Sequence, residues 1–125
     1  MSKSVLIVDD EPNIVLSLEY LMKKAGYVVH TASDGEEALI AVSQQLPNLI
    51  LLDVMMPKLN GYEVCQKIRA NQAYAGIKII MITAKGRTVE REKGLAMGVD
   101  EYMTKPFSIQ ELMDKVAAML NGIDK

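Results

Sequence analysis

Short apolar runs alternate with amphipathic stretches from one end of this chain to the other. Residues 5–8 and 49–52 are wholly apolar, and residues 77–82 form another apolar run. A short unbroken run bounded by breakers suits a strand buried on both faces of a parallel sheet. Pro47 and Asn48 stop anything helical before the second run, and Pro57 stops it afterwards. Residues 27–32 and 102–104 carry polar positions and read as edge strands.

Between the runs the period changes to that of a helix. Ile14, Leu18, Leu21, Met22 and Ala25 recur at helical spacing, with Pro12 in the first turn and Gly26 closing the element. Asp34 and Glu37 have capping-box spacing ahead of a helix that turns Ala38, Leu39 and Val42 inward. Lys58 to Gly61 reads as a turn, followed by a helix over 62–70 with Val64, Cys65 and Ile68 as its apolar stripe. Residues 87–97 read as a charged helix ended by Gly98. Ser108 and Glu111 make a further capping box, and Ile109, Leu112, Met113, Val116 and Leu120 face the core from the last helix.

Five strands alternating with five helices predict an α/β fold: a doubly wound, five-stranded parallel sheet with helices on both faces. The three most apolar strands belong in the centre, which favours the order 2-1-3-4-5 of flavodoxin-like sheets. In such sheets ligand chemistry gathers at the carboxyl ends of the strands. Asp9 and Asp10 end the first strand, Asp53 the third, Thr83 the fourth and Lys105 the fifth. Each alone would be unremarked, as a cap, a helix-start acid or a solvated charge. Their convergence on one rim from four separate segments marks a functional site.

Size and charge narrow the class. The 125 residues fit one domain, expected to span 1–121, with 122–125 as a polar tail or the start of a linker. A net charge of −2 with no basic tract gives no sign of direct nucleic-acid binding, and none is expected of this segment. No apolar stretch reaches the length of a membrane span, and no cleavable leader is evident at the start. Cys65 is the single cysteine, so no internal disulfide can form, and a cytoplasmic location is expected. Cys65, His30 and the methionines at large read as packing or surface residues.

Three carboxylates on one rim repel. At about 4 Å and an effective dielectric near 20, each like-charged pair costs roughly 4 kcal/mol. The site must therefore hold a proton, gain a cation, or both. Lys105 supplies one positive charge, and a small hard divalent ion such as Mg²⁺ would supply the rest. Asp10 and Asp53 are the expected direct ligands, with Asp9 direct or through water. No His or Cys stands at a fitting position, which argues against zinc or copper. A carboxylate can attack phosphorus to give an aspartyl phosphate, with the cation and Lys105 stabilising the transferring oxygens.

Asp9-Asp10, Asp53, Thr83 and Lys105-Pro106, with Met56-Pro57 and Gly61 after the acid at 53, resemble the receiver domain of two-component response regulators. The resemblance covers essentially the whole chain. It implies that Asp53 accepts a phosphoryl group from the phosphohistidine of a sensor histidine kinase or a phosphotransfer protein. It implies that Asp9 and Asp10 hold Mg²⁺ together with Asp53 and the backbone carbonyl of Met55. It further implies that Thr83 and Lys105 contact the phosphoryl group, that Thr83 and Tyr102 act as the switch, and that the Lys105–Pro106 bond is cis. The output face would lie between Arg87 and Leu120, meeting a downstream protein, an attached output domain or a second copy in a homodimer. Such a domain is a phospho-acceptor with slow self-dephosphorylation, not a dedicated enzyme. Met55 and Lys85 each lie two residues past a site residue, where the family varies, and Met55 is expected to crowd an attacking water.

Other readings share parts of this pattern. A flavodoxin-like cofactor module needs a phosphate cradle after the first strand, where this chain has Asp9-Asp10-Glu11-Pro12. A haloacid-dehalogenase-like phosphatase would need a second Asp two residues past the nucleophile, where Met55 stands. A constitutive, non-phosphorylated interaction module of the same fold has no use for a complete acidic site.

Overall fold

A computed structural model describes residues 3–54, 56, 59–83 and 98–121. Strands β1 (Ser4–Val8), β2 (Val28–Ala32), β3 (Leu49–Asp53), β4 (Lys78–Thr83) and β5 (Glu101–Thr104) form one sheet in the order β2-β1-β3-β4-β5. All four strand pairs are parallel. Helices α1 (Pro12–Lys24), α2 (Gly35–Gln45), α3 (Gly61–Arg69) and α4 (Ile109–Asn121) cover it. The charged helix expected over 87–97, together with Met55 and Lys85, lies outside the described residues.

The period-2 alternation of each strand divides the core in two. Leu6, Val8, Ile50, Leu52, Ile79 and Met81 pack with Ala38, Val42, Val64 and Ile68 of α2 and α3. Val5, Ile7, Leu49, Leu51, Ile80 and Ile82 pack with Leu18 and Met22 of α1 and Leu112, Val116 and Leu120 of α4. Every residue of β3 is buried, whereas β2 is largely open at the sheet edge. Fully burying each such aliphatic side chain contributes about 1.5–3 kcal/mol, which is why the polar residues of the central strands, Ser4, Asp53, Lys78 and Thr83, stand only at strand ends.

The helix starts depart from the expected caps in two places. Asp34 caps α2 by accepting the Glu37 N–H at 2.8 Å, but the Glu37 carboxylate reaches back to Ser33, taking its N–H at 3.0 Å and its hydroxyl at 3.1 Å. The reciprocal bond has moved one residue outward. The stretch read as a plain turn before Gly61 holds a complete capping box: Asn60 accepts the Glu63 N–H at 2.9 Å and Glu63 accepts the Asn60 N–H at 3.0 Å. A short 3₁₀ turn over Gln72–Tyr74, not anticipated, leads into β4. Ser108 accepts the Glu111 N–H at 2.9 Å at the start of α4.

Candidate functional site

Register sets the rim. Val8 pairs with Leu52, so Asp9 and Asp53 leave their strands at one level. Asp53 pairs with Ile82 and Thr83 with Thr104, so Thr83 and then Lys105 follow one step further along. The backbone fastens these ends beyond the strands proper: the Val54 N–H donates to the Ile82 carbonyl at 3.3 Å and the Lys105 N–H to the Thr83 carbonyl at 2.7 Å. The Lys105–Pro106 peptide is cis.

The side chains of Asp9, Asp53 and Thr83 are all buried, while Asp10 is exposed. One carboxylate oxygen from each of Asp9, Asp10 and Asp53 lies within 4.8 Å of the others. The Lys105 ammonium stands against them, 3.0 Å from Asp9 Oδ2 and 3.4 Å from Asp53 Oδ1. A third acid, Glu11, reaches it at 3.5 Å. In sequence Glu11 stands in the acidic run after β1, where the pattern gives it no role beyond the helix start. Asp9 is doubly engaged, since its Oδ1 also accepts the Glu11 N–H at 2.9 Å. That bond takes up a donor a phosphate cradle would need, which fits poorly with the flavodoxin-like reading.

Burial first, and then the charge of Asp9, push the Asp53 carboxyl up to about 6; Lys105 pulls the other way and Asp10 adds to the rise. Burial alone would lower the Lys105 ammonium, but its hydrogen bond to Asp9 and the charges of Asp53 and Asp9 more than offset this, and its pKa is raised. The pair therefore carries both charges near neutrality. Three clustered carboxylates with one ammonium leave an excess of negative charge, and an all-oxygen donor set of this kind fits a hard divalent cation.

The raised Asp53 pKa has a consequence for stability. Between about pH 4 and 6 the folded protein holds a proton on Asp53 that the unfolded chain has lost, so stability falls as pH rises through that window. In metal-free protein, Asp53→Asn is expected to be more stable than the parent at pH 7, with the difference shrinking towards pH 4. Urea midpoints across pH 4–7 check this, and a constant difference would contradict it.

Tyr102 is buried on the α2 and α3 side of the sheet, 5% exposed, among the residues that cover Met81 and Ile79. Cys65 is buried in the same cluster, and burial raises its thiol pKa, as suits an unreactive core residue. His30 sits half-buried on β2 opposite Leu6.

The family model for the response regulator receiver domain matches residues 5–117. This chain belongs to the response regulator receiver domain family. Among curated relatives, the alkaline phosphatase synthesis transcriptional regulatory protein PhoP of Bacillus subtilis is 48% identical over 120 residues, which is 96% of this chain and 49% of PhoP. The probable transcriptional regulator ycf27 of Guillardia theta is 48% identical over 123 residues, 98% of this chain and 47% of that protein. The receiver domain thus spans about half the length of these curated relatives, which are named as regulators and not as enzymes. A putative response regulator from Chloroflexus aurantiacus superposes with a TM-score of 0.91 at 35% identity, covering 97% of this chain and 99% of that one. A CheY-like receiver domain protein from Methanospirillum hungatei gives 0.90 at 30% identity, over 98% and 96% of the two chains. Receiver domains serve phosphorylation-activated signalling. Among the described residues, no helix is long and apolar enough to cross a membrane.

Proposed function

We propose that Asp53 is the phospho-acceptor of this receiver domain and that a sensor histidine kinase or phosphotransfer protein supplies the phosphoryl group. The observation that carries this reading is the placement of Lys105 against Asp9 and Asp53, at a rim where three carboxylates gather. With a pKa near 6, Asp53 is ionised about ten to one at pH 7 and available as a nucleophile. Lys105 holds a fixed positive charge where the phosphoryl oxygens arrive. Thr83, at the end of β4, donates its hydroxyl to the product phosphoryl group. Asp9, Asp10 and Asp53 would hold Mg²⁺, joined by the backbone carbonyl of Met55. When bound, the ion neutralises charge on the transferring group.

Phosphorylation places a dianion between Thr83 and Lys105, and Tyr102 on the neighbouring strand follows Thr83 as the switch. The readout would be a changed face between Arg87 and Leu120, offered to a protein target, an attached output domain or a second copy. The domain works in the cytoplasm. Incubation with acetyl phosphate tests the reading: a hydroxylamine-sensitive phosphoryl adduct is expected with Mg²⁺ and at least about tenfold less after chelation. Equal labelling in the two conditions would remove the metal from the scheme.

A further inference from the structure

Glu11 is the N-cap residue of α1, yet its side chain does not cap the helix. It is exposed, and its carboxylate turns to Lys105 at 3.5 Å. Lys105 does not need it as an anchor, because buried Asp9 already holds the ammonium at 3.0 Å. Glu11 and Lys105 are the charged residues of a groove of about 480 Å³ whose other lining is Ile14, Pro106 and Phe107. The side chain of Glu11 is 62% exposed against 15% for Lys105, so the negative charge stands on the solvent side of the ammonium. An anion that pairs with Lys105 therefore comes within reach of the Glu11 charge.

We propose that Glu11 is a specificity-determining residue that selects among phosphodonors by their charge. This rests on the assignment of Asp53 as acceptor. In the transfer, an Asp53 carboxylate oxygen bonds to phosphorus while the bond from phosphorus to the donor atom breaks and its electron pair leaves with the donor. With an acyl phosphate the leaving group is a carboxylate. With a phosphoramidate or a phosphohistidine protonated on nitrogen it is a neutral nitrogen base, ammonia or imidazole, which keeps the electron pair of the broken bond. Free acyl phosphates approach with about two negative charges. A phosphoryl group on a protonated nitrogen carries less net charge, so Glu11 repels it less. Glu11 therefore disfavours small acyl phosphates relative to phosphoryl groups delivered on nitrogen.

The test compares the parent, Glu11→Gln and Glu11→Asp with acetyl phosphate and phosphoramidate as donors, in Mg²⁺, at low and high salt. Glutamine keeps the shape and removes the charge. Glu11→Gln is expected to lower KM for acetyl phosphate by about three- to tenfold at low salt, with kcat unchanged. The change should be smaller for phosphoramidate and shrink at high salt, as screening requires. Glu11→Asp should stay close to the parent. Equal KM changes for the two donors, no KM change, or a loss of kcat in Glu11→Gln would overturn the inference and leave the acceptor assignment standing. A parent protein labelled by neither donor would instead sink that assignment, and the inference with it.

Discussion

Asp53→Asn is expected to lose phosphodonor labelling altogether, to below about 1% of the parent with acetyl phosphate and Mg²⁺. The amide is nearly isosteric but cannot attack phosphorus, and Lys105 cannot take over, since the carboxylates beside it hold it as the non-nucleophilic ammonium. The fold should survive. Asp53 is 5% exposed and its ionised form is disfavoured by burial and by Asp9, so a neutral amide removes a strained charge. Circular dichroism and a thermal melt would establish that the variant is folded, and intact-mass measurement would report the adduct. Full labelling of folded Asp53→Asn would falsify the acceptor assignment.

Gly61→Ala is expected to destabilise the protein by about 1–3 kcal/mol. A Cβ built on Gly61 runs into the carbonyl oxygen of Asp53 and lies 2.9 Å from Val54 Cα and 3.1 Å from the Asp53 carbonyl carbon. These are backbone atoms at the end of β3 and cannot rotate away. The Gly61 N–H also donates to the Val54 carbonyl at 2.9 Å, so α3 begins in direct contact with the end of β3. Moving α3 outward would break that bond and shift Asp53, so a loss of labelling rate should accompany the loss of stability. Gly76→Ala is the control, because among the described residues nothing beyond its chain neighbours lies within 4 Å of its Cβ position. Urea denaturation of both variants decides the matter. A Gly61→Ala midpoint no lower than that of Gly76→Ala would show that the contact yields cheaply.

The sheet was legible because its central strands are buried on both faces and their apolar runs are hard to mistake. The run at residues 49–52 and the wholly buried strand β3 differ by one residue, and that residue is Asp53. Asp9, Asp10, Asp53 and Lys105 could be grouped from sequence because topology alone brings strand ends together. The partners of these groups were less legible. That Asp9 accepts the Glu11 N–H, or that Glu11 turns to Lys105, depends on χ angles and on the start of α1, which periodicity does not encode. The cap at Asn60 was missed because Asn-Gly is as good a turn as it is a helix start. The displaced bond from Ser33 to Glu37 has the same origin: several short polar residues compete for one carboxylate.

Lys105 and Asp9 are separated by 96 residues, yet they meet at 3.0 Å. A contact of such long range is costly to form early, because a large loop must close before it gives anything back. A nascent chain that has laid down β1, β3 and β4 but not the last strand would carry its acids without the Lys105 ammonium. On the proposed assignment of Lys105, chemical competence would arrive only with the final strand.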